Sequence, residues 1–243
     1  MIKLLLLSIV AVGLSSCASG PGAGVKPPTT NPKFVVKLKG TPDWSSPEQI
    51  KKDLGNKVSV HKNVVDLNGG EINGKNLKHS GNSQDESNVG VKIRMDNLTI
   101  KNGFAKDLGG GLISYAKNTT FQNITFTGTS EDFVSNQKDV SDNFRVIDCK
   151  FYNNSKGDKS IQINGAVNAL VRDTYVSGAI TGVRLGESSS KRRGEARVEN
   201  CTFENVSTAL NIDGKMKVYT KGITLKNVPK PYVVNDGSKL IEN

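Results

Sequence analysis

Five charged residues in the middle of the chain combine carboxylates with cations at a repeating spacing. Glu131 and Asp132 form an acid pair, Asp158 and Lys159 follow one repeat later, and Arg184 lies one repeat further on. Calcium prefers several oxygen ligands of the carboxylate kind. A lysine near a divalent cation and an arginine has its charged form disfavoured, so we expect its pKa to fall towards the range of a general base. The set predicts a site for a metal and an anionic sugar, although each pair alone also fits a solvated turn.

Short repeated segments indicate the fold. Each segment has a turn-forming residue, a small or apolar residue, a polar residue and an apolar residue, and the first positions are 26, 25, 25, 27 and 22 residues apart. Short strands at such a period, without helical periodicity between them, indicate a parallel β-solenoid, whereas a β-sandwich would need hairpins and would show no fixed period. We predict an all-β, single-stranded, right-handed parallel β-helix. The six segments are residues 97–100, 123–126, 148–151, 173–176, 200–203 and 222–225.

A second strand-like run follows each of the middle segments, at residues 132–136, 160–164, 182–186 and 208–212. Each coil therefore has several short strands, with Gly, Asn or Ser at the bends. Because stacked coils bring the starts of successive runs side by side, we expect the five charged residues to face one groove.

The same register predicts the state of two cysteines. Cys149 and Cys201 occupy the same position two coils apart, with Thr174 between them. Coils stack at about 4.8 Å, so the two Cα atoms would lie about 10 Å apart, which is beyond the reach of a disulfide. We expect both thiols to be inward, stacked and unpaired.

The N-terminal residues are typical of an exported lipoprotein. Lys3 precedes an apolar run, residues 4–14, that is too short to span a bilayer, and the run ends in Leu14-Ser15-Ser16-Cys17. This ending resembles the lipobox of bacterial lipoproteins, in which the cysteine is lipidated and becomes the mature N-terminus. We therefore expect a signal peptide over residues 1–17 and an anchor at Cys17. A plain secretory signal is the alternative.

The rest of the chain divides into a linker and one domain. Residues 18–32 are rich in Gly, Pro, Ser and Thr and predict a flexible tether, and residues 33–243 predict the β-helix. Because Ala18 follows the cysteine in place of the aspartate associated with inner-membrane retention, we expect the cell surface or the periplasmic face of the outer membrane.

Two elements should open the domain. Residues 34–38 predict a strand, and residues 45–55 carry helix signals: a serine N-cap, Pro47 in the first turn and Gly55 as the stop. Ile50 and Leu54 form a narrow apolar stripe on this helix. A short amphipathic helix ahead of a repeat array is suited to capping its open end, because a terminal repeat must cover one core face.

The charge favours a polyanionic partner. Lys and Arg number 33 against 23 Asp and Glu, giving a net charge of +10, which fits nucleic acid, an anionic membrane surface or an acidic polysaccharide. Nucleic acid is the least favoured of these, because no aromatic platform accompanies the basic residues and the export signal separates the chain from it. We expect a monomer.

Three segments resemble family-three pectate lyases. Residues 123–132 resemble the part of that family in which an asparagine-containing strand runs into Gly-Glu-Asp. Residues 158–165 resemble its Asp-Lys-Val-x-Gln-x-Asn segment, and residues 181–184 resemble its Gly-Lys-Leu-x-Arg. The order and spacing match, and the resemblance covers residues 97–228.

The resemblance implies calcium-dependent β-elimination of a polyuronate such as pectate. By this carry-over Glu131 and Asp132 bind calcium, with Asp158 as a further helper for the metal or the lysine. Lys159 removes the proton next to the sugar carboxylate, and Arg184 holds that carboxylate and stabilises the developing enolate.

The chain also departs from the family. The family has an Asp-Gly-Val/Ile-His segment one coil earlier, whereas residues 109–113 here read Gly-Gly-Gly-Leu-Ile, with Asp107 as the nearby acid. Gly182 stands where the family has a lysine. A non-catalytic β-helix lipoprotein for polysaccharide binding or adhesion therefore remains the alternative, and a hydrolase with two carboxylates flanking the sugar bond ranks third.

Overall fold

The structure is a computed structural model that describes residues 25–40, 42–77, 90–128, 132–136, 142–153, 158–186, 194–235 and 237–243. In the first half, the elements are β1 (Val35–Lys37), β2 (Asp43–Trp44), α1 (Pro47–Leu54), β3 (Ser59–His61), β4 (Val64–Asp66), β5 (Glu71–Asn73), β6 (Val91–Ile93), β7 (Thr99–Lys106), β8 (Leu112–Ser114), β9 (Thr120–Gly128), β10 (Asp132–Asn136) and β11 (Arg145–Ile147). In the second half, they are β12 (Lys150–Asn153), β13 (Lys159–Ile163), β14 (Ala169–Arg172), β15 (Tyr175–Ser177), β16 (Thr181–Leu185), β17 (Glu195–Glu199), β18 (Thr202–Glu204), β19 (Thr208–Ile212), β20 (Lys217–Lys221), β21 (Thr224–Lys226), β22 (Lys230–Val234) and β23 (Lys239–Glu242).

Parallel pairing between successive coils builds two sheets. One has eight strands in the order β2-β6-β8-β10-β13-β16-β19-β22, and we call its outer side the site face. The other has 15 strands and folds into two rows, β11-β14-β17-β20-β23 and β12-β15-β18-β21. The long strand β9 joins these rows, since its start pairs with β11 and its end pairs with β12. The predicted parallel β-helix is confirmed, and among the described pairings only β3 and β4 run antiparallel.

Left-handed residues form the bend between the two rows. Asn123, Asp148, Asp173 and Asn200 have φ values of 51–52°, and Gly222 follows them at 65°. Asn and Asp tolerate this region better than other side chains, because their short polar groups can hydrogen-bond locally. Their side chains also bond along the stack, as where Asn200 Nδ2 donates to Asp173 Oδ1 at 3.1 Å. The turn-forming residue that opens the predicted repeats from residue 123 onward therefore lies at this bend.

The alignment of the first predicted repeat is wrong. The sequence pattern matches residues 97–100 to residues 123–126, but Thr99 pairs with Thr120 and Gly103 pairs with Ile124. The counterpart of Asn123 is Asn102, whose Oδ1 accepts from Asn123 Nδ2 at 3.0 Å. Asn97 belongs to another corner of the coil. There Asn118 Nδ2 donates to Asn97 Oδ1 at 2.7 Å, so the same residue pattern occurs at two corners.

The core is a stack of aromatic and aliphatic side chains with two thiols. Phe126 and Phe151 lie face to face with ring centroids 4.6 Å apart. Cys149 and Cys201 are buried and free, and Thr174 between them is also buried. Burial is the largest influence on both thiols and raises each pKa from 9.0 to about 12. The predicted inward, unpaired cysteines are confirmed.

The helix closes the N-terminal end of the core as predicted. Ser46 is the N-cap, its Oγ accepts from the Gln49 backbone N–H at 3.2 Å, and the helix ends before Gly55. Ile50 and Leu54 are buried. The predicted first strand is β1, which is shorter than residues 34–38 and pairs in parallel with β5.

The chain approaches the first coil from the side of the solenoid. The Val25 backbone N–H donates to Ser177 Oγ at 3.1 Å. Ser177 has no exposed surface, although it lies in the outward row between Tyr152 and Glu204. Phe34 then packs on Gly70, where an added Cβ would lie 2.2 Å from the ring. Residues 25–34 therefore cross the strands from β15 back to the first coil.

The predicted lipobox, with Cys17, lies outside the described residues. Within the described part of the chain, no helix has the length and apolar character of a membrane span.

Candidate functional site

Two adjacent coils bring three of the predicted residues together. Asp132 lies opposite Lys159 in the register of β10 and β13. Lys159 Nζ donates to Asp132 Oδ1 at 3.4 Å and to Asp158 Oδ2 at 2.5 Å. The predicted adjacency of the acid on one coil and the Asp-Lys pair on the next is therefore present. Glu131, the other member of the predicted acid pair, lies outside the described residues.

The electrostatics of Lys159 differ from the expectation. Its side chain is 11% exposed and that of Asp132 is 15% exposed. Burial lowers the pKa of Lys159, but the charges and hydrogen bonds of Asp132 and Asp158 outweigh burial, so the pKa is raised above its ordinary value. The expected fall in pKa is for a lysine beside a divalent cation and an arginine. With the carboxylates of Asp132 and Asp158 as its described neighbours, the pKa is raised instead.

The pairing of the site-face strands is interrupted just after these side chains. Asp132 pairs with Lys159 and Val134 with Ile161, and the consecutive residues Phe133 and Val134 are both buried. The next coils repeat the arrangement with a small first residue: Ser160, Gly182 and Ala209. At Gly182 an added Cβ would lie 2.6 Å from the Phe203 ring. A lysine, which the pectate lyase pattern has at this position, does not fit in this coil.

Arg184 is on the same sheet but does not contact Lys159. Thr181 is the Cα partner of Lys159, and Arg184 is the partner of Gln162. Arg184 is therefore three residues along the strand, about 10 Å, and one coil away. It faces Asp213, with Nε 3.4 Å from Oδ2, so the predicted groove shared by Lys159 and Arg184 is two neighbouring clusters.

The cluster around Arg184 has unused hydrogen-bonding capacity. Arg184 Nε and Asn211 Oδ1 are buried atoms without a hydrogen-bond partner among the described residues. Asn211 is the Cα partner of Arg184, and Asp213 Oδ1 accepts from Asn235 Nδ2 at 2.9 Å. Buried polar atoms without partners are uncommon in native proteins, and an ordered water or ion commonly satisfies them. Sequence reasoning missed Asn211 and Asp213. Extending the stacking argument one coil beyond Arg184 would have found them.

A buried asparagine pair fixes the coils beneath the site. Asn136 Oδ1 accepts from the Asn164 backbone N–H at 2.7 Å, and Asn164 Nδ2 donates to the Asn136 carbonyl at 2.9 Å. Asn164 Oδ1 also accepts from Gln162 Nε2 at 2.8 Å, which orients Gln162 beside Arg184. These bonds lock β10 and β13 in the register that places Asp132 next to Lys159.

Among the described residues, none beside Asp132 corresponds to the upstream acid of the pectate lyases. Gly111 packs there, and an added Cβ would lie 1.9 Å from the Asp132 carbonyl oxygen. Asp107 lies just after β7 against Gly128, where an added Cβ would meet its Oδ1 at 2.1 Å. Asp107 therefore packs at the end of β9 and away from the start of β10.

The described carboxylates offer part of the ligand set that calcium needs. Asp132 and Asp158 both direct a carboxylate oxygen at one cationic atom, Lys159 Nζ, so the two can converge on a single cation. Carboxylate oxygens are the donors that calcium prefers, but it takes six to eight ligands. The described part of the chain has no group of three or more His, Cys, Asp or Glu side chains that could hold a metal. The donor type fits calcium, and the described donors are two carboxylates.

Comparison with known proteins gives no family for this chain: no protein-family model and no curated protein matches it.

Proposed function

We propose that the chain is a membrane-anchored polysaccharide lyase that cleaves an acidic polyuronate by β-elimination, with Lys159 as the base. The observation that carries the proposal is the contact of Lys159 with Asp132 and Asp158 across two coils. These residues come from two of the segments that resemble family-three pectate lyases. The row of polar residues Ser135, Gln162, Arg184 and Asn211 on the same sheet offers hydrogen-bonding groups to a linear sugar chain.

The roles follow from the contacts. Asp132 and Asp158, with Glu131 as the predicted third ligand, would hold calcium. When bound, calcium neutralises the uronate carboxylate and makes the neighbouring carbon-bound proton more acidic. If Asp132 and Asp158 bind a metal and no longer contact Lys159, burial becomes the main influence on the pKa of Lys159. Burial lowers this pKa and so favours the neutral amine that accepts the proton.

Arg184 would bind a sugar carboxylate next to the reacting unit. Its side chain is 26% exposed although Nε faces Asp213, and the partly exposed Asn211 beside it carries an amide that can bond a sugar hydroxyl. An arginine and an amide oxygen in one cluster recognise the carboxylate and the hydroxyl groups that a uronate carries together.

A non-catalytic polysaccharide-binding lipoprotein is the second candidate. Two observations favour it: the carboxylates that keep Lys159 charged, and the direction of Arg184 towards Asp213. A binding surface needs fixed charges and no neutral lysine.

Product formation separates the two candidates. The chain from residue 18 onward is incubated with polygalacturonate or alginate, with calcium at alkaline pH, and the absorbance of the unsaturated product is followed. We expect product that is lost with Lys159→Ala and with a chelator. Lys101→Ala is the matched control, since Lys101 lies 3.6 Å from Asp66 on the other sheet. Binding without product from any polyuronate would favour the second candidate.

A further inference from the structure

A groove on another face of the solenoid carries three arginines. It has a volume of about 340 Å³ and lies over β11, β14 and β17. Arg145, Arg172 and Arg197 line it, together with Glu195 and Glu199. None of these residues belongs to the site face.

The register sets the spacing of the exposed arginines. Arg145, Leu170 and Arg197 occupy the same position in successive coils. The Cα atoms of the two arginines are therefore two coils apart, about 10 Å, with an apolar side chain between them. The next residue in the row is Tyr219, with Lys217 Nζ 4.7 Å from its ring centroid. Cations and apolar groups alternate along the solenoid axis.

The guanidinium groups of Arg145 and Arg197 are available to a ligand. Both residues are exposed, and neither forms an ion pair or a hydrogen bond within the described chain. Arg172 differs, because its Nε lies 3.3 Å from Asp173 Oδ2. A planar guanidinium binds a carboxylate through two parallel hydrogen bonds, which a lysine cannot do.

The two glutamates of the groove favour a ligand that carries hydroxyl groups as well as negative charge. Glu195 and Glu199 lie among the arginines and can accept hydrogen bonds from hydroxyl groups. The two carboxylates repel any polyanion, so a ligand has to offset this repulsion with hydrogen-bond donors such as hydroxyl groups. A chain that carries both carboxylates and hydroxyls satisfies both kinds of side chain, and acidic polysaccharides have this chemistry.

We propose that this groove is a second polysaccharide-binding site, where a linear acidic glycan crosses β11, β14 and β17 parallel to the solenoid axis. Its carboxylates bind Arg145 and Arg197, and a sugar ring packs on Leu170. The choice of a polyuronate as ligand rests on the proposed function, but binding in the groove requires no catalysis.

Nucleic acid is the competing polyanion, and the groove suits it less well. Bases of a single strand stack on exposed aromatic faces. The row offers Tyr219 alone, and Lys217 lies over that ring.

Titration calorimetry tests the groove. The chain from residue 18 onward, carrying Lys159→Ala to prevent turnover, is titrated with size-fractionated oligogalacturonates, with neutral dextran and with oligothymidylate. We expect Arg145→Gln/Arg197→Gln to weaken oligogalacturonate binding about tenfold or more, because two charge-assisted interactions are lost. The control Lys37→Gln/Lys39→Gln removes the same charge from exposed residues of the first coil and should change affinity less than about twofold.

The other outcomes overturn the proposal in distinguishable ways. Equal affinities for the two double variants would mean that net charge alone causes the binding. Tighter binding of oligothymidylate, lost with the arginines, would make the groove a nucleic-acid site. Product that depends on Lys159, with unchanged binding by the arginine variant, would leave the lyase standing and remove the groove. If no product forms but the arginine variant binds more weakly, the groove stands and the lyase proposal falls.

Discussion

Asp132 and Lys159 are Cα partners on adjacent coils, and the Lys159 ammonium is 3.4 Å from the Asp132 carboxylate. The two side chains are almost buried, so each charge depends on the other for solvation. The pair links the fold to the proposed chemistry, because its register comes from the solenoid and its charges could bind a metal and a sugar.

Breaking this pair should destabilise the protein. Asp132→Asn leaves the Lys159 charge with Asp158 alone, and we expect a loss of about 1–3 kcal/mol in the free energy of unfolding, measured with urea at neutral pH. Asp43→Asn, in the exposed pair with Arg94 at 3.0 Å, is the control and should cost less. Equal losses would show that the Asp132 contact has no special weight.

The packing at Gly182 predicts a steric effect. Gly182→Ala should lower the free energy of unfolding by about 1–3 kcal/mol, because the new methyl group meets the Phe203 ring. Ser160→Ala is the matched control at the same position one coil earlier. It should be neutral or stabilising, since Ser160 Oγ is buried without a hydrogen-bond partner among the described residues. Tolerance of Gly182→Ala would mean that this coil is looser than the structure indicates.

The left-handed bend predicts a backbone effect. Asn123 has a φ of 51°, so Asn123→Ala should destabilise by about 1 kcal/mol or more, whereas Asn123→Gly should be tolerated better. Thermal unfolding of the two variants measures the difference. The order would reverse only if the side-chain bond to Asn102 outweighed the backbone term.

The buried thiols predict a pH dependence. The pKa of Cys149 and of Cys201 is about 12 in the folded chain against 9.0 for an ordinary thiol. Their contribution to stability is therefore complete below about pH 9 and is lost as the pH rises from 9 towards 12. Both thiols should resist a disulfide reagent at pH 8 and react in denaturant. Fast labelling of the native chain would contradict their burial.

The lipobox resemblance is tested separately. Cells expressing the whole chain and fed labelled palmitate should yield a labelled protein, and Cys17→Ser should remove the label and release the protein from the membrane fraction. Cys149→Ser should keep the label. A labelled Cys17→Ser protein would contradict the proposed anchor.

The architecture was predictable because its rules are local. Asparagine and aspartate at bends, alternation of inward and outward residues and a nearly constant coil length were enough to predict a parallel β-helix, a capping helix and unpaired cysteines. The contact between Asp132 and Lys159 followed from the same count, since each opens a site-face strand.

The failures have physical causes as well. Residues 97–100 were misaligned because two corners of the coil use the same left-handed asparagine. The stacking argument groups Arg184 with Lys159 because it fixes the coil but not the position along the strand. Arg184 pairs with Gln162, which is three residues beyond Lys159. The pKa of Lys159 depends on its distances to Asp132 and Asp158, and the spacing of residues in the sequence does not give these distances.

The Val25–Ser177 hydrogen bond has a mechanical consequence. Five strand spacings, about 24 Å, separate β15 from β1, and residues 25–35 bridge that distance along the outside of the solenoid. A pull on the N-terminal end therefore loads the bond at Ser177 first and the packing of Phe34 on Gly70 next. The parallel ladder between β1 and β5 comes under load only after both contacts have broken.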